Sequence, residues 1–273
     1  FADDLYVNSS GLEGTYYTIQ EAVDAASDGD NIYVSTVGTY SEDVTVDKTV
    51  FIVAAVPDEL FTLAGSIVIS YNNSDIEVTI IGLNNGSVSC SGNNNSGSKI
   101  IVNVISSFVS EISGSDGFDF NLYDTEVYND FNISNGQVKG CVFDLLEVNA
   151  DYAGVNPDTV KIMGNIGKKI TWTNDEHYFQ ISNNILEIND YSDDAIYITD
   201  RRTNSGGTNL ISNNGIQIGG QYGMGIYFND GSSDGQNVVI ANNYIQCSGN
   251  YQTYNLYSST AIENAFIANN FSY

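Results

Sequence analysis

Basic residues are scarce in this chain. Lys and Arg number 8 against 34 Asp and Glu in 273 residues, a formal net charge of −26. A field of that sign repels nucleic acid and anionic lipid, and it opposes anionic polysaccharide unless cations intervene. Charged residues of both signs amount to only 15%, below the usual quarter, so the polar surface is built from Asn, Ser, Thr, Asp and Gly. No uninterrupted apolar run is long enough for a membrane-spanning helix, and no membrane insertion is expected. Three cysteines (Cys90, Cys141, Cys247) make an odd count without metal-type spacing. No glycine-rich phosphate loop, nucleophile elbow or zinc spacing is present. The first residue is Phe1, so a processed or trimmed chain is expected, with any signal peptide removed. Strong acidity suits salty or calcium-rich surroundings, and the expected location is secreted: an extracellular surface or a virion.

What the sequence does have is repetition. "ISNNILEINDYSDDAIYITD" (181–200), "ISNNGIQIGGQYGMGIYFND" (211–230) and "IANNYIQCSGNYQTYNLYSS" (240–259) align over twenty positions without a gap. Comparable strands lie roughly twenty residues apart early in the chain and 27–30 apart after residue 180. The segments 201–210 and 231–239 absorb the difference as loops. Period-2 alternation assigns the faces. Leu186, Ile216 and Ile245 point inward; so do Ile188, Ile218 and Cys247, stacked about 4.8 Å apart; so do Ile198, Phe228 and Tyr257. Cys247 therefore reads as a small buried hydrophobe. Tyr197, Tyr227 and Leu256 point outward, with Tyr254 on the face of Leu256, and this stripe is the candidate glycan or partner contact. The pairs Asn183-Asn184, Asn213-Asn214, Asn242-Asn243 and Asn269-Asn270 fall at one corner of each coil, where stacked Asn side chains would hydrogen-bond along the axis. Gly219, Gly220, Gly223 and Gly225 read as turn residues. Asn-x-Ser sequons start at Asn8, Asn72, Asn85, Asn94, Asn132 and Asn270, near chance for so Asn- and Ser-rich a chain.

The N-terminal stretch "TYYTIQEAVDAASDGDNIYVSTVGTYSEDVTVDKTVFIVA" (15–54) is the most informative. Thr18-Ile19-Gln20-Glu21 is a capping box. Ile19, Ala22, Val23 and Ala26 give one apolar helical face, and Gly29 ends the helix. Short strands follow. A single amphipathic helix before a series of strands reads as the plug that closes the first unit of a repeat stack. "TIQEAVDAASDGDNIYV…GTYSEDVTVDK…V" resembles the N-terminal cap and first coils of pectate-lyase-like right-handed parallel β-helices, a superfamily that includes many non-enzymatic surface proteins.

That resemblance raises two pectin chemistries. Such lyases hold calcium on clustered Asp with an Arg or Lys base; such hydrolases use Asp pairs with His and a basic residue. The best cluster here is "NDYSDDAIYITDRR" (189–202). If the chain is an enzyme, Asp193, Asp194 and Arg201 are the catalytic candidates; with or without catalysis, Asp190, Asp193 and Asp194 are the candidate calcium ligands. The paired Asp193-Asp194 echoes polygalacturonases, but Thr173-Asn174-Asp175 scrambles the expected order, the only histidine, His177, precedes the pair, and no Arg-Ile-Lys follows. Asp193 and Asp194 align with Gly223-Met224 and then Gln252-Thr253, so carboxylates do not recur one coil away. The cluster reads as a solvated turn, with Arg201 and Arg202 neutralising acidic neighbours.

The expected fold is all-β: a single-domain, right-handed, single-stranded parallel β-helix. Residues 1–30 would form the N-terminal strand and capping helix, 31–180 the shorter coils and 181–273 the longer ones. The expected function is a non-catalytic structural or adhesive protein of a cell surface, sheath, filament or virion, assembling as a homo-oligomer or larger array and binding glycan. The competing reading is a polysaccharide lyase or glycoside hydrolase. The last coil, with Phe266, Ile267 and Phe271, shows no closing element, so it is expected to meet another chain or a continuation of this one.

Overall fold

The computed structural model describes residues 2–70, 74–91, 98–114, 117–129, 131–150, 159–174, 178–190, 193–201, 207–229, 238–248, 253–259 and 265–272. The chain divides into two compact units, residues 1–131 and 132–273. The fold is all-β, a parallel β-helix, with one short helix among the described residues.

In the first unit the helix Ile19–Ala25 packs on the strands Asp4–Val7, Asp30–Val34 and Val44–Val46. Its capping box forms: Glu21 N–H donates to Thr18 Oγ1 at 3.1 Å, and Glu21 Oε2 accepts from Thr18 N–H at 3.3 Å. Ile19, Ala22, Val23 and Ala26 are buried. The sequence does not announce a second cap. Glu42, from a later coil, accepts from Ile19 N–H at 2.9 Å and Gln20 N–H at 3.0 Å, placing a carboxylate at the positive end of the helix. The helix ends at Ala25 with Ala26 extended, before Gly29. The Asp30 carboxylate then ties the turn down, accepting from Ser27 N–H and Asp3 N–H, both at 2.7 Å.

Strands stack coil upon coil in register. One inward file of this unit runs Leu5, Ile32, Ile52, Ile80, Val104, Leu122, each residue directly opposite the next. All six are buried. Burying each such side chain stabilises by about 1.5–3 kcal/mol before entropy is counted. The coils are less regular than the sequence spacing suggests: Val104 to Leu122 spans 18 residues, Ile52 to Ile80 spans 28.

The second unit has its own inward file, Val138, Ile162, Ile181, Ile211, Ile240 and Ile267. Leu186, Ile216 and Ile245 are buried on successive rungs, as are Ile188 and Ile218. Cys247 stands opposite Ile218 as expected but is only half-buried. The neighbouring strand Phe271–Ser272 pairs with Tyr244 and Ile245, and among the described residues no rung stands opposite Cys247 on that side. What burial it has pushes its thiol pKa up, and the thiol donates to Tyr254 O at 3.6 Å.

The asparagine ladder is present and longer than the paired motif indicates. The first Asn of each pair is left-handed, with φ of 58° at Asn183, 56° at Asn213, 57° at Asn242 and 54° at Asn269. This turns the second Asn inward. Nδ2 of Asn165, Asn184, Asn214 and Asn243 each donates to Oδ1 of the next Asn at 2.9 Å. Each next Oδ1 also accepts the preceding Asn's backbone N–H at 3.0–3.1 Å. The remaining N–H of each amide goes to a strand carbonyl such as Ile162 O or Ile181 O, both at 3.0 Å. Asn165 joins because Gly164, φ 69°, supplies the left-handed residue that Asn supplies elsewhere. Asn270 Nδ2 donates to Ile240 O at 2.9 Å, so N-glycosylation at that sequon would break the ladder.

Two further expectations need correction. The ungapped alignment fails after Cys247. The strand Tyr244–Cys247 lies 29 residues from Gly215–Ile218, whereas Tyr254–Ser258 pairs 30 residues on from Met224–Phe228. One extra residue between Cys247 and Tyr254 inverts the side chains of the strand Tyr254–Ser258, while Ala265–Ala268 keeps the expected spacing, Ile267 opposite Ile240. Gly225 is a strand residue, not a turn: a Cβ there would lie 2.5 Å from Ile245 Cγ2 and 2.7 Å from Asn255 O. Of the segments expected as loops, 201–210 and 231–239, Arg201, residues 209–210 and residues 238–239 belong instead to the strands Ile196–Arg201, Asn209–Ser212 and Val238–Ala241, with Asn209 and Val238 buried; residues 202–206 and 231–237, and with them Arg202 and also His177, lie outside the described residues.

Candidate functional site

The outward face of the second unit carries a tyrosine file. Tyr197 stands opposite Tyr227 and Tyr227 opposite Tyr257. Their ring centroids are 5.1 and 5.3 Å apart, tilted by 43° and 56°. The file exists because each tyrosine occupies the outward step between two inward residues: Ile196 and Ile198, then Ile226 and Phe228. Tyr257, expected inward, is exposed, and Leu256, expected outward, stands half-buried opposite Ile226. Tyr254 keeps the parity of Leu256, but it lies at the strand start, is exposed, and its ring meets Tyr257 at 5.2 Å. The stripe therefore comprises Tyr197, Tyr227, Tyr257 and Tyr254, without Leu256.

Polar groups brace the file. Asn229 Nδ2 donates to the Tyr197 hydroxyl at 2.9 Å, and Ser259 Oγ donates to Asn229 Oδ1 at 2.9 Å. Among the described residues, Asn255 Oδ1 is a buried side-chain acceptor without a partner. Lys169 Nζ lies 5.9 Å from the Tyr197 ring centroid, within cation–π range. The same ammonium pairs with Asp193 Oδ1. Sequence reading missed Lys169 because its partner lies 24 residues away, in the segment just before the strand Ile196–Arg201 of the next coil; only the coil length relates them.

The acidic cluster is largely spent on structure. Asp193 Oδ1 also accepts from Asp194 N–H at 3.1 Å, and Asp194 Oδ1 accepts from Met224 N–H at 2.9 Å. Burial pushes the Asp194 carboxyl above its ordinary pKa, against the Met224 hydrogen bond and the charge of Lys169; Asp193 adds to the rise. Asp190 is exposed. Among the described residues no three His, Cys, Asp or Glu side chains gather as a cation site. Arg201 ends the strand Ile196–Arg201.

At the other candidate surface, Phe266, Ile267 and Phe271 are all exposed. Ile267 has inward parity, opposite Ile240, and Ala265–Ala268 pairs on one side only among the described residues. No helix of the described residues is long and apolar enough to cross a membrane. Compared with protein-family models and with curated proteins, the chain matches none.

Proposed function

We propose that this chain is a secreted, non-catalytic β-helix protein of the pectate-lyase-like, right-handed class, acting on a surface, sheath or virion by holding glycan. The observation that carries this reading is the register of Tyr197, Tyr227 and Tyr257 on one outward face. Aromatic faces pack against the apolar faces of sugar rings while tyrosine hydroxyls and nearby amides serve the sugar hydroxyls. The net charge of −26 favours neutral over anionic glycan. The two best catalytic carboxylates are engaged in holding Lys169 and the backbone of residues 194 and 224. A glycan array probed with the purified chain tests the proposal. Retention on neutral oligosaccharides, at least tenfold weaker for Tyr227→Ala, is expected; no retention on any glycan overturns it.

The competing lyase or hydrolase reading draws on one observation, the raised pKa of Asp194, which is what a general acid needs. Polygalacturonate digestion with and without calcium separates the readings. Cleavage that disappears in Asp194→Asn would replace binding with catalysis. Self-association belongs to the same proposal: the exposed Phe266 and Ile267, on a strand that pairs on one side only among the described residues, support contact with a second copy. Sedimentation of Ile267→Lys against the parent chain tests it, with weaker association expected and an unchanged monomeric parent counting against it.

A further inference from the structure

A second outward file follows the asparagine corner. In residues 132–273 it runs Val142, Ile166, Ile185, Gly215, Tyr244, Phe271, each opposite the next. Five of the six are exposed apolar side chains, among them Ile185 at 58%, Tyr244 at 48% and Phe271 at 58%. The sixth has no side chain. Among the described residues, nothing lies within 4 Å of where a Cβ on Gly215 would stand.

The gap has the dimensions of one ring. Ile185 and Tyr244 are two rungs apart, about 9.6 Å at the usual strand spacing. A guest ring in contact with both needs about 3.5–4.0 Å on each side. One wall is a flat aromatic platform. Tyr244 stacks on Phe271 with centroids 5.4 Å apart and planes 6° from parallel. Phe271 covers one face of the Tyr244 ring, and the other face is turned toward the Gly215 rung. Along both margins stand neutral amides: exposed Asn213 and Asn242 just before the inward Asn, and Gln217 and Gln246, opposite one another, two residues past the floor. The nearest charge in this row is Glu187, opposite Gln217, whose Oε1 accepts from Asn189 Nδ2 at 3.2 Å.

An apolar slot with one aromatic wall, amide margins and a single acidic neighbour matches an uncharged ring dense in hydroxyls. A second copy of the chain is a poorer match here, because the slot is one rung wide between Ile185 and Tyr244 and admits a single ring rather than a strand edge. We propose that the space over Gly215 is a subsite for one neutral pyranose unit, stacked on the open face of Tyr244. This rests on the glycan-contact reading above, and it places that contact at a second, separate row of the same unit.

The test is calorimetric titration of the whole chain with cellohexaose, xylohexaose, maltohexaose and chitohexaose. Tyr244→Ala removes the platform. Gly215→Leu fills the slot, and Gly215→Ala fills it partly; since the position is open, both should keep the parent's circular dichroism and melting temperature. Binding at least tenfold weaker in Tyr244→Ala and Gly215→Leu, intermediate in Gly215→Ala and near parent in Tyr244→Phe is expected. Affinity within twofold of parent in Tyr244→Ala and Gly215→Leu, with loss in Tyr227→Ala, overturns the slot and keeps the tyrosine file. Loss in the slot variants with Tyr227→Ala unaffected keeps the slot and removes the file. No binding of any of the four sugars overturns both.

Discussion

Nδ2 of Asn184 donates to Oδ1 of Asn214 at 2.9 Å inside the core, and Asn214 repeats the gesture toward Asn243. Every polar atom of the Asn214 side chain is used: Oδ1 accepts twice and Nδ2 donates twice. Buried networks of this kind are favourable only when complete. Asn214→Ala would orphan the Asn184 donors and the Ile181 carbonyl, so a loss of about 3–5 kcal/mol in urea unfolding is expected from the cost of several unpaired buried groups. Asn270→Ala, at a half-buried rung where water can substitute, should cost clearly less. Equal costs at the two positions would mean the ladder is not cooperative.

The register after Cys247 yields a ranking. Leu256 faces inward opposite Ile226 and Tyr257 outward opposite Tyr227. Leu256→Asp should destabilise by about 3 kcal/mol, the scale of burying an unpaired polar group, and Tyr257→Asp by about 1 kcal/mol or less, mostly the lost aromatic contact. Thermal melts of the two variants decide it. The opposite order would restore the ungapped alignment.

Gly225 is required by space. Ile245 Cγ2 and Asn255 O leave no room for a methyl group, and a backbone oxygen cannot move aside as a side-chain tip can. Gly225→Ala should cost about 1–3 kcal/mol, as overpacking does. Gly215→Ala, in open space, should cost far less. The two substitutions exchange the same atoms, so denaturation midpoints compare packing directly.

Asp194 makes stability depend on pH in a defined direction. Burial raises its folded pKa above the unfolded value, so between the two values the folded state holds more protons. Stability from this group then rises as pH falls through that window, and its ionised form is a cost above it. Asp194→Asn removes the ionisation while its side-chain oxygen still accepts from Met224 N–H. Its advantage over the parent should be largest near pH 7 and shrink below the unfolded carboxylate value. An advantage that grows on acidification would refute this assignment.

Much of this molecule follows from local order in the chain. Thr18 and Glu21 cap a helix wherever they stand three apart before an apolar face, and alternation of Ile, Val and Tyr names the inward side of a strand from its own residues. Paired asparagines announce a corner because Asn tolerates the left-handed backbone that turns its successor inward. Partners across coils are another matter. A strand's sequence carries its own parity but not the number of residues its coil will use, and one added residue between Cys247 and Tyr254 exchanged Leu256 for Tyr257 on the outward face. For the same reason the pairing of Lys169 with Asp193, the reach of Glu42 to the helix, and the row that sets Tyr244 beside the vacancy at Gly215 were decided only by the tertiary stack. Each depends on which residues 20 to 30 positions apart are brought 4.8 Å from one another, about one strand spacing, and backbone hydrogen bonding selects that register without regard to side-chain identity.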